Sequence, residues 1–167
     1  MAESIRGWFI GRLDDDWFEE PPTVEYDRDE ILVIGKIGEP SLEGDVDEDD
    51  RVAARRSRID AFRKKTRQAR IEIARVAERT FGRKVSWGVT CGDQTELFTT
   101  LASPTMTRLR MPERRVLDTL VSSGVARSRS DALAWCVQQV GEHQSEWLDE
   151  LEGAIEKVDE IRRRGPG

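Results

Sequence analysis

Hydrophobic positions along this chain change their period several times, and each change marks an expected element. Residues 7–12, Gly-Trp-Phe-Ile-Gly-Arg, are aromatic and β-branched and predict a strand. Pro21-Pro22 stops any helix. Val24 and Tyr26 then alternate with polar neighbours, which predicts a strand over 23–26, and Asp27-Arg28-Asp29 predicts a turn. The unbroken apolar run Ile31-Leu32-Val33-Ile34 predicts a well-buried strand over 31–37. Over 51–81 the pattern becomes helical. Val52, Ile59, Phe62, Ala69, Ile73 and Val76 form one narrow stripe, Thr66 interrupts it, and Gly82 is placed to end it. Residues 84–90 and 95–100 are β-prone, with Gly92-Asp93 as the hairpin turn between them. Ala102-Ser103-Pro104 marks a boundary. Residues 1–101 therefore read as an α+β domain, a small antiparallel sheet with one long amphipathic helix, in the order β, β, β, long α, β, β.

Beyond the boundary the period changes within a few residues. Thr107, Leu109 and Met111 share one face of a short strand, while Met106, Arg108 and Arg110 share the other. Pro112 suits the first turn of a helix. Val116, Leu117, Leu120 and Val121 give that helix an apolar face, and Gly124 ends it. Ser128 is placed to cap the next helix, with Asp131 three residues on, and Leu133, Cys136, Val137 and Val140 form its apolar face. A C-terminal helix over 142–163 carries Trp147, Leu151, Ala154, Val158 and Ile161, with a kink expected near Gly141.

Charge changes this picture more than composition does. Charged residues make up 36% of the 167, above the ~25% of ordinary domains. The net charge of −6 hides a division. Residues 1–50 hold 17 acidic and 4 basic side chains, while residues 51–105 hold 5 acidic and 13 basic. Residues 38–50 are acidic with Gly and Pro and read as a linker. The helix over 51–81 is the most basic element, with Arg63, Lys64 and Lys65 in sequence. Three readings fit it: contact with nucleic-acid phosphates, a solvated face neutralised by the acidic segment, or self-inhibition by residues 38–50. No aromatic side chains interleave with these charges, so stacking on single strands is not expected.

Several functions find no chemistry here. Two cysteines without CxxC spacing and one histidine, His143, make no zinc set, so no metal and no cofactor is expected. No phosphate-binding glycine motif is present and His143 has no partner marked by spacing, so no enzyme is expected. The five tryptophans, Trp8, Trp17, Trp87, Trp135 and Trp147, read as core and interface. No run approaches the ~20 apolar residues of a membrane span, and the start lacks the apolar core of a signal peptide. A cytoplasmic location is expected.

Residues 106–141 resemble the ribbon-helix-helix (MetJ/Arc-type) superfamily. The matching features are the strand with alternating arginines, the Met-Pro-Glu helix entry, the glycine after it, and the Ser-Arg-Ser-Asp-Ala-Leu start of the second helix. The resemblance covers 36 of 167 residues. It implies a homodimer, because a lone strand and two short helices bury too little to fold alone. It also implies double-stranded DNA as partner, with the paired ribbon in the major groove and Met106, Arg108 and Arg110 facing the bases. Arginine suits bidentate contact with guanine; Met106 stands where the family usually offers a polar reader and is limited to an apolar contact. Ser128, Arg129 and Ser130 would hold a phosphate at the helix start, and Arg63, Lys64 and Lys65 would add phosphate contacts. The expected function is a DNA-binding transcriptional regulator. The alternative is a structural or interaction protein that uses the same unit only to oligomerise.

Overall fold

The computed structural model describes residues 4–42 and 47–165, so part of the acidic linker, residues 43–46, lies outside the described residues. The chain is of the α+β class and divides into two compact units, 1–104 and 105–167. The division falls at the Ala-Ser-Pro boundary.

The first unit opens with α1 (Ile5–Ile10), where a strand was expected. Ser4 caps the helix, its hydroxyl accepting the Gly7 N–H at 3.3 Å. Ile5, Trp8 and Phe9 then recur with helical spacing and meet the core together. Aromatic composition suggested a strand; the cap and the burial of Phe9 decided otherwise. Strands β1 (Thr23–Tyr26) and β2 (Glu30–Lys36) pair antiparallel as expected. Asp27 shapes their turn by accepting the N–H groups of Asp29 and Glu30, both at 2.8 Å.

The basic helix is two helices. α2 (Glu48–Lys65) begins earlier than expected, capped by Asp47, whose carboxylate accepts the Asp50 N–H at 2.9 Å. α3 (Arg67–Phe81) follows after a break at Thr66. At the break the buried Thr66 hydroxyl donates to the Phe62 carbonyl at 2.8 Å, alongside the Thr66 N–H at 3.0 Å, a back-bond of the kind that bends helices. Gly82, at φ 68°, ends α3.

The helices carry the chain back to the end at which β2 started. As a result β3 (Lys84–Cys91) lies parallel to β2, with Glu30 opposite Lys84 and Lys36 opposite Thr90. β4 (Gln94–Leu97) returns antiparallel to β3 across Gly92-Asp93. The only positive φ in that turn, 61° at Gly92, sits at the first central position, as a type II′ hairpin requires. The sheet order is β1-β2-β3-β4. An antiparallel sheet was expected, and its mixed character is the correction: the helical segment expected between β2 and β3 serves as a crossover that sets them parallel.

One face of this sheet holds the core. Ile31, Val33, Val85, Trp87, Val89 and Cys91 alternate inward and meet Phe9, Trp17, Ile59, Ala77 and Phe98. Aromatic rings meet edge to face, with Phe9 to Trp87 at 6.0 Å and Trp17 to Phe62 at 5.9 Å. Burial pushes the Cys91 thiol's pKa up, which suits an unreactive core residue.

In the second unit α4 (Met111–Ser122) carries Pro112 in its first turn, and Gly124 turns the chain at φ 78°. α5 (Arg129–His143) and α6 (Ser145–Arg164) follow. The expected kink at Gly141 instead falls at Gln144, which leaves helical geometry and separates the two helices. No helix of the described residues is long and apolar enough to cross a membrane.

Candidate nucleic-acid interface

Residues 101–110 form neither strand nor helix within the chain, where a short strand from Met106 was expected. Arg108 and Arg110 are exposed, and Met106 is 97% exposed. Leu109, on the opposite side of the expected strand, is half-buried and packs on the cluster formed by Leu117, Ala126 and Ala132. Of the three residues expected on the inner face, only Leu109 turns to the protein; Thr107 and Met111 are exposed, as are Met106, Arg108 and Arg110. Arg114 supports the segment from α4, donating from Nη1 to the Leu109 carbonyl at 2.7 Å. That contact crosses from a helix to the chain before it, and no helical spacing rule points to it.

The start of α5 is built as its sequence suggests. The Ser128 hydroxyl accepts the Asp131 N–H at 3.2 Å, and the Asp131 carboxylate accepts the Arg127 N–H at 2.8 Å. The N–H groups of Arg129 and Ser130 point out of the helix start without a helical acceptor. Arg129 is placed differently from expectation. Its guanidinium donates two hydrogen bonds to Asp118 of α4, at 2.7 and 2.8 Å. This fork holds the two helices together and compensates the arginine's charge. Its effect is mutual: the hydrogen bond to Arg129 lowers the pKa of Asp118, and the hydrogen bond to Asp118 raises that of Arg129. Sequence reading missed Asp118, because the two partners are eleven residues apart on different helices.

In the first unit Arg63, Lys64 and Lys65 occupy the last turn of α2. Lys64 and Lys65 are exposed. Arg63 instead leans on the Phe98 ring, 5.5 Å from its centroid, and reaches Glu96 at 3.5 Å. The acidic segment also meets the basic helix at Arg55. Arg55 gathers Glu39 at 2.9 Å, Asp93 at 2.7 Å and Glu48 at 3.5 Å, with only 14% of its side chain exposed. Here the reading in which acidic and basic segments neutralise each other describes the contact. Among the described residues no three His, Cys, Asp or Glu side chains are grouped to hold a metal ion.

Comparison with known proteins follows the same two-part division. The model of the Rv1265-like protein N-terminal domain matches residues 3–97, and that of the Mb1296 C-terminal domain matches residues 110–162. Uncharacterized protein Rv1265 of Mycobacterium tuberculosis (strain ATCC 25618 / H37Rv) is 55% identical over 166 residues, covering 99% of this chain and 71% of the relative. Uncharacterized protein Mb1296 of Mycobacterium bovis (strain ATCC BAA-935 / AF2122/97) matches to the same extent. No solved structure matches. Both halves of the chain and nearly its whole length are accounted for by these matches, and the chain belongs to the Rv1265-like family.

Proposed function

We propose that this chain is a homodimeric, cytoplasmic DNA-binding protein, a transcriptional regulator, that reads the major groove with a β-ribbon made from residues 106–110 of two copies. The observation that carries the reading is the incomplete core of residues 105–165. Among the described residues this unit buries only Leu117, Ala126 and Ala132. Val116, Val137 and Val140 remain exposed on α4 and α5, and Val125 on the loop between them. Three buried side chains cannot offset the conformational entropy of some sixty ordered residues, at ~1–2 kcal/mol each for backbone alone. A second copy supplies what is missing: antiparallel pairing gives partners to the backbone of 106–108, and the exposed valines become interface.

In such a dimer Arg108 and Arg110 emerge side by side from the ribbon with no ion pair of their own to break. Arginine's planar fork matches guanine O6 and N7. The open N–H groups of Arg129 and Ser130 offer a phosphate site at the helix start. The exposed Lys64 and Lys65 add salt-dependent contacts to phosphates. Free Cys91 and Cys136 suit a reducing compartment.

The second reading, oligomerisation alone, is favoured by one contact. Asp118 already occupies the guanidinium of Arg129, so a phosphate would have to compete with a bidentate carboxylate. One experiment separates the two. Duplex binding by the Arg108→Ala/Arg110→Ala variant should weaken by ~1–3 kcal/mol per arginine, with a smaller salt slope. Unchanged affinity and slope would remove the groove reading, and a dimer that ignores duplex at low salt would establish the alternative. A monomer by light scattering would overturn both.

A further inference from the structure

Arg70 of α3 is a buried cation without a carboxylate. It is 6% exposed. Its Nε donates to the Thr66 hydroxyl at 3.0 Å and its Nη2 to the Arg63 carbonyl at 2.8 Å. Its carbon end lies 4.7 Å from the centre of the Phe98 ring. Nη1 makes no hydrogen bond among the described residues. Burial, and then the charges of Arg63 and Arg67, lower its pKa. Three guanidinium groups thus converge where Glu96, 3.5 Å from Arg63, is the one acidic partner they have among the described residues. Burying a cation that no carboxylate balances costs several kcal/mol, and an anion bound beside it would offset that cost.

These arginines line a cleft of about 270 Å³. Its other walls are Ile71, Ala74, Val85, Trp87, Phe98 and Thr99. Trp87 is fixed from both sides of its peptide: its N–H donates to the Thr99 hydroxyl at 3.1 Å, and its carbonyl accepts the Phe98 N–H at 2.7 Å. The cleft is therefore cationic at one end, apolar elsewhere, and formed by rigid elements. We propose that it binds a small organic carboxylate, with the oxyanion on Arg67 and Arg70 and an aromatic or branched apolar group against Trp87, Phe98 and Ile71.

The magnitudes choose the ligand class. The volume falls below the ~300–1,000 Å³ of pockets for drug-sized ligands, so the occupant is small. Arg67 is exposed and free of ion pairs, and its planar fork matches a carboxylate in two parallel hydrogen bonds. Glu96 close by penalises a doubly charged head. The apolar walls add affinity only to a ligand that carries apolar surface.

Trp87 provides a reporter inside the site. Phenylacetate titrated into the full chain should shift the Trp87 indole N–H resonance saturably. Benzyl alcohol and inorganic phosphate at equal concentration should not. Arg67→Ala should weaken the response at least about tenfold, as loss of a charged hydrogen bond predicts, without changing the melting temperature. Arg70→Gln should abolish it, and Arg67→Ala carries the test if that variant does not fold. No saturable shift with phenylacetate, an equal response to benzyl alcohol, or an unchanged response in Arg67→Ala would overturn the proposal. An equal response to inorganic phosphate would overturn it too, by showing a bare oxyanion site.

Discussion

Residues 4–104 and 105–165 use their apolar side chains in opposite ways. In the first unit a mixed sheet and three helices bury twelve core residues around Phe9, Trp17 and Trp87. In the second, three helices bury three residues, and α6 buries none. The first is complete as one chain. The second presents valines, isoleucines, Leu151 and two tryptophans, Trp135 and Trp147, to the outside, and residues 105–110 form no strand or helix. The difference teaches that apolar content does not by itself make a core. Trp147, Leu151, Val158 and Ile161 are spaced like core residues, yet all four are exposed, because nothing in their own unit covers that stripe.

The comparison can be broken at its strongest point first. Phe9→Ala should cost the first unit about 3–5 kcal/mol, the usual loss for a buried phenylalanine. The loss should be the same at every protein concentration in denaturant unfolding. A concentration-dependent loss would mean that the first unit, too, needs a partner. Val137 is 65% exposed in the single chain and tests the opposite case. Val137→Asp should raise the dimer dissociation constant on the order of a hundredfold or more, since an uncompensated buried charge costs ~3–5 kcal/mol. Sedimentation should detect it, with unfolding of the first unit unaltered. Unchanged association would make Val137 an ordinary surface residue and erase the contrast.

A smaller effect sharpens the helix start. Ser128→Ala should destabilise the second unit by about 1 kcal/mol through loss of the cap, seen as a lower melting temperature. If duplex binding fell further than stability, the same residue would also serve the phosphate.

The smallest effect separates two carboxylates. Asp27 has its pKa lowered chiefly by the Glu30 and Asp29 N–H groups, and Asp118 chiefly by Arg129. Both contribute stability that is present above the unfolded-state pKa and lost as pH falls through the lower folded-state value, a window below about pH 4. High salt should raise the Asp118 titration midpoint more than that of Asp27, because salt screens an exposed ion pair more than hydrogen bonds from fixed backbone donors. Equal movement in a carbon-detected titration would deny the ion pair its role.

Much of this was legible locally. The Asp27 turn, the Gly92 hairpin, the Ser128 cap and the boundary before Thr105 each depend on residues within a few positions of one another. What the sequence does not show is of a different kind. Residues 7–12 have strand-like composition, but Ser4 and the inward turn of Phe9 made α1. Thr66 interrupts a stripe, but its bond to the Phe62 carbonyl, at the break between α2 and α3, depends on its being buried. Arg129 follows a cap, which points to phosphate, and no spacing rule finds its partner Asp118 on another helix. Arg63 was read with Lys64 and Lys65 as one basic run, yet only the two lysines face solvent freely.

Sequence by itself determined the α+β class, the two-part division and the caps. These rest on backbone chemistry acting over one or two turns. Tertiary structure alone decided the parallel pairing of β2 with β3, the burial of Arg70 against Phe98, the Arg129–Asp118 fork and the open apolar face of α4 and α5. Each of these joins residues distant in sequence, where pairing depends on what packing leaves uncovered.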